Sequence, residues 1–83
     1  MDQLARDTRH LGAILRRMRR HAGLTQDALG KKVHLRQATI SKLETGEPNT
    51  RLGTLVTVLS ALDLELVVRP RTKTSEADLE DIF

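Results

Sequence analysis

Between Thr8 and Ala22 the apolar residues fall at Leu11, Ile14, Leu15, Met18 and Ala22, the three-and-four spacing of one helical face. Gly23 follows, suited to the left-handed turn that closes a helix, so the pattern predicts a helix over 8–22. Thr25 offers a hydroxyl N-cap for a short second helix over 26–32, with Leu29 and Val33 facing inward. A third helix over 36–44 buries Ile40 and Leu43 and stops at Gly46, with Pro48 barring continuation. A fourth, over 51–62 with Thr50 or Arg51 near its cap, lines up Leu52, Leu55, Val56, Leu59 and Leu62 on one face. After Asp63 the rhythm changes. The run LELVVRP over 64–70 is rich in leucine and valine and closed by Pro70, which predicts a strand. A lone strand leaves its backbone groups unpaired, and in so short a chain the nearest partner is the same strand of a second copy across a two-fold axis. Residues 71–83 are polar and acidic without a sustained period and are expected to form a flexible tail. The expected organisation is thus a helical domain over 1–63, a dimerisation strand over 64–70 and a tail over 71–83.

Composition narrows what such a domain can do. The chain has 83 residues, room for one small domain. With 39% hydrophobic and 30% charged residues it suits a globular domain rather than a disordered one. Residues 1–73 hold all 14 Lys and Arg against 7 acids, whereas 74–83 hold 4 acids and no base, so a body of +7 carries an acidic end of −4. A basic body favours polyanions, nucleic acid or an anionic surface. The one aromatic residue is Phe83, so the body has no platform for stacking single-stranded bases, and duplex DNA is the better match. The absence of cysteine excludes a disulfide framework, a thiolate zinc site and a thiol nucleophile. No apolar stretch approaches the ~18 residues of a membrane span, and MDQLARDTRH lacks the apolar core of a signal peptide, so a cytoplasmic, nucleoid-associated protein is expected.

Other chemistries find little support. His10, His21 and His34 lie on different elements without companion ligands, so neither a metal nor another cofactor is expected. No nucleophile–base arrangement, carboxylate pair or glycine-rich phosphate cradle is present, which argues against an enzyme. The basic run RRMRR would suit a membrane surface, but its helix has no bulky aromatic on the apolar face, and that face is needed for the core.

The specific signal lies in QDALGKKVHLRQATISKLE, residues 26–44. Two short helices crossing steeply need apolar side chains at fixed offsets and a small residue where their backbones nearly touch. Counting Gln26 as first, Leu29, Val33, Leu35, Ile40 and Leu43 occupy the fourth, eighth, tenth, fifteenth and eighteenth places, and Gly30 the crowded fifth. The ninth, a turn position usually taken by glycine at positive φ, is His34, a residue type that tolerates that conformation. If the second of these helices lies in a major groove, its exposed side presents Gln37, Ala38, Ser41 and Lys42 to base edges, with Thr39 at the margin. Gln37 suits adenine, Ala38 a thymine methyl, and Lys42 guanine or phosphate. Arg16, Lys31, Lys32, Arg36 and Arg51 are candidate phosphate contacts.

Through GLTQDALGKKVHLRQATISKLETG the chain resembles the Cro and phage-repressor, or XRE, type of helix-turn-helix domain, over about residues 11–64. Within that family RQATISKLE and the exit LDLELVVRPR are most similar to the HipB-type antitoxins. The resemblance implies an all-α, four- to five-helix, lambda-repressor-like domain whose short C-terminal β-strand pairs across a dimer through Leu64, Leu66, Val67 and Val68. It implies a homodimeric repressor that occupies double-stranded operator DNA at its own promoter and restrains a HipA-type serine/threonine kinase toxin. The alternative is a free-standing phage-like repressor without a toxin. The resemblance further implies that Gln26 contacts phosphate and that Arg19 and Glu44 form an internal pair. In the acidic end, Leu79, Ile82 and Phe83 are the candidate anchor for a protein partner.

Overall fold

The computed structural model describes residues 2–71. Four helices succeed one another: α1 (Thr8–His21), α2 (Gln26–Val33), α3 (Gln37–Glu44) and α4 (Leu52–Ala61). Two begin on a side-chain cap: Asp7 accepts from the His10 amide at 2.8 Å and Thr25 Oγ1 from the Ala28 amide at 3.0 Å, satisfying donors the first helical turn leaves open. Arg36 is the N-cap of α3 rather than its first residue, and Arg51 that of α4; neither caps through its side chain.

All four helices stop in the same way. A residue in left-handed backbone follows each one, Gly23, His34, Gly46 and Asp63, with φ of 76°, 59°, 87° and 58°. The next amide then returns to the carbonyl five residues back: Leu24 to Arg19, Leu35 to Gly30, Glu47 to Lys42 and Leu64 to Leu59, at 2.8–3.1 Å. Three of these turns thereby press a leucine, Leu24, Leu35 or Leu64, against the core. His34 has the positive φ expected of the ninth motif position.

The core draws on every helix: Leu15 from α1, Leu29 from α2, Ile40 and Leu43 from α3, Val58 and Leu59 from α4, and Leu62 from the cap of α4. Each such side chain withdrawn from water contributes about 1.5–3 kcal/mol before conformational entropy is counted. Ile40 is wholly buried. α3 packs against both α1 and α2, and α2 also meets α4. Two glycines permit the close approaches. A Cβ on Gly12 would stand 2.5 Å from the Glu44 carbonyl oxygen, and one on Gly30 would stand 2.6 Å from that of Leu35.

Two expectations need correction. Leu52 and Val56, placed on the inner face of α4, are 66% and 44% exposed, and Val58 is buried instead. The sequence of α4, LGTLVTVLSA, is apolar on more than one side, so spacing alone does not choose the face that meets α2. Ala22 is exposed at the end of α1 rather than inside. Residues 64–71 carry no strand in the single chain, where no backbone lies alongside to form a ladder, and their Leu66, Val67 and Val68 side chains are exposed. Leu79, Ile82 and Phe83 lie outside the described residues.

Candidate nucleic-acid interface

α3 is short, and its outer side is largely solvent-facing: Gln37, Ala38 and Lys42 are exposed, and Thr39 and Ser41 are half-buried. Its inner side is held by Ile40 and Leu43, so the orientation of the outer side follows from core packing. An open groove runs beside α3, floored by Glu44 and Arg19 and bordered by Arg16, Arg20, Gln26, Gln37 and Ser41.

The groove floor is an ion pair. Arg19 and Glu44 are only 7% and 9% exposed. Arg19 Nε donates to Glu44 Oε2 at 2.6 Å and Nη2 to Oε1 at 3.0 Å, a two-pronged match of guanidinium and carboxylate. Its third prong, Nη1, donates to the Leu24 carbonyl at 2.7 Å. One guanidinium thus ties α1, the turn after it and the end of α3 together. The hydrogen bond to Glu44, working against burial, raises the Arg19 pKa still further above the neutral range. Among the described residues no buried side-chain nitrogen or oxygen lacks a partner, as an interior with a desolvated pair requires.

Two glutamines extend the pair to the surface. Gln26, first residue of α2, donates through Nε2 to Glu44 Oε1 at 3.2 Å. Its Oε1 accepts from Gln37 Nε2 at 2.6 Å. Gln37, first residue of α3, is therefore connected to the buried pair through one intervening amide.

The structure brings Arg16, Gln26, Gln37 and Ser41 to this groove together with the Arg19–Glu44 pair. Ala38 and Lys42 project from α3 outside its lining, as do Lys31 and Lys32 from α2, Arg36 from the cap of α3 and Arg51 from that of α4. Lys31 is engaged locally, 3.1 Å from Asp27 one turn earlier. Four lining residues were not among the sequence candidates: Arg20, Thr25 as a lining group, Asp27 and Thr45. Arg20 carried a usable signal, since it stands four residues after Arg16 and so shares its face of α1. Thr45 and Asp27 reach the groove only through tertiary packing.

No group of His, Cys, Asp or Glu side chains that could hold a metal ion occurs among the described residues. Among them, too, no helix is long and apolar enough to cross a membrane.

Comparison with known proteins agrees with this architecture. The HTH_31 family, described as a helix-turn-helix domain, matches residues 10–72. Antitoxin HipB of Escherichia coli strain K12 is 36% identical over 58 residues, covering 70% of this chain and 66% of that protein. The HTH-type transcriptional regulator y4dL of Sinorhizobium fredii is 38% identical over 68 residues, covering 82% of this chain. The chain spans only 35% of the length of y4dL. Among solved structures, a HipB variant in an O2 20mer complex superposes with a TM-score of 0.80 at 30% identity, covering 87% of this chain and all of that one. HipB in a HipA–HipB–O2–O3 complex gives 0.78 at 31% identity, covering 86% of this chain and all of that one. The chain belongs to the helix-turn-helix domain family, as an XRE-type member related to the HipB antitoxins.

Proposed function

We propose that this protein is the antitoxin of a type II toxin–antitoxin pair and the dimeric autorepressor of its own promoter, partnered by a HipA-type serine/threonine kinase toxin. The observation that carries the DNA part is the placement of α3. Its packed side is fixed by Ile40 and Leu43, and its outer side offers Gln37, Ala38 and Ser41 to a surface bordered by Arg16 and Arg20. In this reading Gln37, Ala38, Thr39, Ser41 and Lys42 meet base edges, while Gln26, Arg16, Lys31, Lys32, Arg36 and Arg51 meet phosphates.

The dimer follows from the exposed run Leu66, Val67 and Val68, which together with Leu64 forms a strand once a second copy supplies the facing backbone. Two copies of α3 about 34 Å apart then read successive turns of a palindromic operator. The kinase partnership rests on the likeness to HipB, whose complex with HipA is among the similar structures. The basic body and acidic end divide the work: DNA for residues 1–73, and the kinase for the end that carries Leu79, Ile82 and Phe83. In the cell such a protein sits in the cytoplasm, on the nucleoid.

Three measurements test this reading. Sedimentation of the full chain gives a dimer. Binding to its own promoter duplex weakens with salt at a slope of about −0.9 per phosphate neutralised, and a flat response refutes DNA binding through this surface. Affinity capture after nuclease treatment, with the full chain and residues 1–73 as separate baits, recovers a HipA-type kinase with the first. Recovery with neither leaves a free-standing repressor.

A further inference from the structure

Resting on the reading of the groove beside α3 as the DNA-binding surface, we propose that residues 74–83 of this chain dock on that same groove and compete with DNA for it. The acids in the groove lining are already engaged. Asp27 holds Lys31 at 3.1 Å, and Glu44 holds Arg19 at 2.6 Å. The exposed cations are not. Arg16 and Arg20 stand one helical turn apart on the same face of α1, and neither has a carboxylate within ion-pair range among the described residues. The field that the groove presents to solvent is therefore that of two guanidiniums.

The complement stands at the other end of the chain. Glu76, Asp78, Glu80 and Asp81 give residues 74–83 a charge of −4 with no base, against +7 for residues 1–73. The reach suffices. Arg71 is the last described residue, and the ten residues from there to Asp81 span at most roughly 33–36 Å, more than the two shorter dimensions of the molecule, 26 and 17 Å. Tethering holds these acids at a local concentration in the millimolar range, so even weak pairing with Arg16 and Arg20 occupies the groove. A duplex displaces them. It carries one charge per ~1.7 Å of its axis, whereas acids at alternate positions of extended backbone recur at about 6.6 Å. The displacement lowers the affinity for every duplex by the same factor.

The chain has no cysteine, so Ala77→Cys places a single nitroxide label amid the acids of the full-length protein. Without DNA, at about 0.05 M salt, the label should broaden the amide NMR signals of Arg16, Arg20, Thr25, Ser41 and Thr45, which line the groove, more than those of Gly53 and Thr57 on α4. About 0.5 M salt, or the promoter duplex, should remove the effect. Absence of the broadening, or its persistence with duplex bound, overturns the proposal.

The affinity arm replaces the four acids together, Glu76→Gln, Asp78→Asn, Glu80→Gln and Asp81→Asn, at unchanged length. This variant should bind promoter and scrambled duplexes alike roughly three- to tenfold tighter than wild type at about 0.05 M salt, the strength of a few screened surface ion pairs. At about 0.5 M the gap should close to twofold or less. Plain repulsion between an undocked acidic end and DNA gives similar numbers, and Arg16→Gln with Arg20→Gln, checked for native helicity by circular dichroism, separates the two. In that background docking predicts that neutralising the end no longer tightens binding; undiminished tightening overturns the proposal. If no form binds any duplex, the DNA reading fails and the competition with it, while the spectra still decide whether the segment lies on the groove.

Discussion

Gly12 lies where α1 crosses α3, and replacing it by alanine tests whether main chain touches main chain there. The added Cβ would meet the Glu44 carbonyl oxygen at 2.5 Å, the Leu43 carbonyl oxygen at 2.7 Å and the Glu44 carbonyl carbon at 2.8 Å. Ordinary contact begins near 3.4 Å, so the helices must part by roughly 0.9 Å, and no flexible side chain is available to give way. Overpacking of this kind costs about 1–3 kcal/mol, against a gain of up to about 1 kcal/mol from replacing a helical glycine. Separation also strains the Arg19–Glu44 pair, because Arg19 lies about two turns along the same face of α1. A net loss of about 1–2 kcal/mol lowers the melting temperature by roughly 4–15 °C in a domain of this size. Gly53 supplies the control. A Cβ there meets nothing within 4 Å, so Gly53→Ala in the first turn of α4 should gain about 0.5 kcal/mol, or roughly 2–4 °C. Thermal unfolding followed at 222 nm, at one fixed protein concentration, separates the two. A G12A variant as stable as wild type, or a G53A variant that melts earlier, would falsify the packing described.

Three further outcomes follow from the same structure. Arg19→Met alone strands a buried carboxylate and should cost about 3–5 kcal/mol, whereas Arg19→Met with Glu44→Met recovers most of that loss in urea unfolding; equal losses in the single and double variants would deny that the pair is desolvated. The Asp7 carboxyl, which accepts from the His10 amide at the start of α1, is held below its usual pKa by that hydrogen bond. Its contribution is therefore present above the ordinary aspartate pKa and is lost as pH falls below about 4 through the lowered value, so Asp7→Asn should flatten the acid limb of the stability–pH curve. Leu66→Glu with Val68→Glu should yield folded monomers by sedimentation, with binding to the promoter duplex weakened at least tenfold; a variant that stays dimeric rules out pairing through residues 64–70.

The helices, their order and most of the core were legible because each helix repeats apolar residues at helical spacing and is followed by a turn residue with a physical reason to be there. Gly23 and Gly46 are such residues, and His34 was identifiable from its place in the motif. Asp63 was not. It adopts the same left-handed turn, φ 58°, but sits between two apolar runs where the change of pattern masks it as a simple boundary. Val58 was missed for a different reason: in a helix apolar on several sides, the buried face is chosen by what packs against it. The groove was half legible. Gln37 and Ser41 follow from the exposed side of the motif, whereas Gln26 and the Arg19–Glu44 pair come from the family resemblance, because their joining depends on contacts 11–25 residues apart in sequence, which no local period encodes.

The backbone contact at Gly12 separates where α3 sits from what it says. Because α3 is seated by main-chain atoms and by Ile40 and Leu43, its outward vocabulary can be rewritten without moving the helix. The freedom is uneven, however. If α3 reads DNA as proposed, Ala38 and Lys42, which lie clear of the amide chain, are where new specificities can be written one residue at a time. Gln37 shares a hydrogen bond with Gln26, so a change at 37 drags 26 with it. Drift or directed selection for a new operator should therefore move through 38 and 42 singly, and through 26 and 37 as a pair.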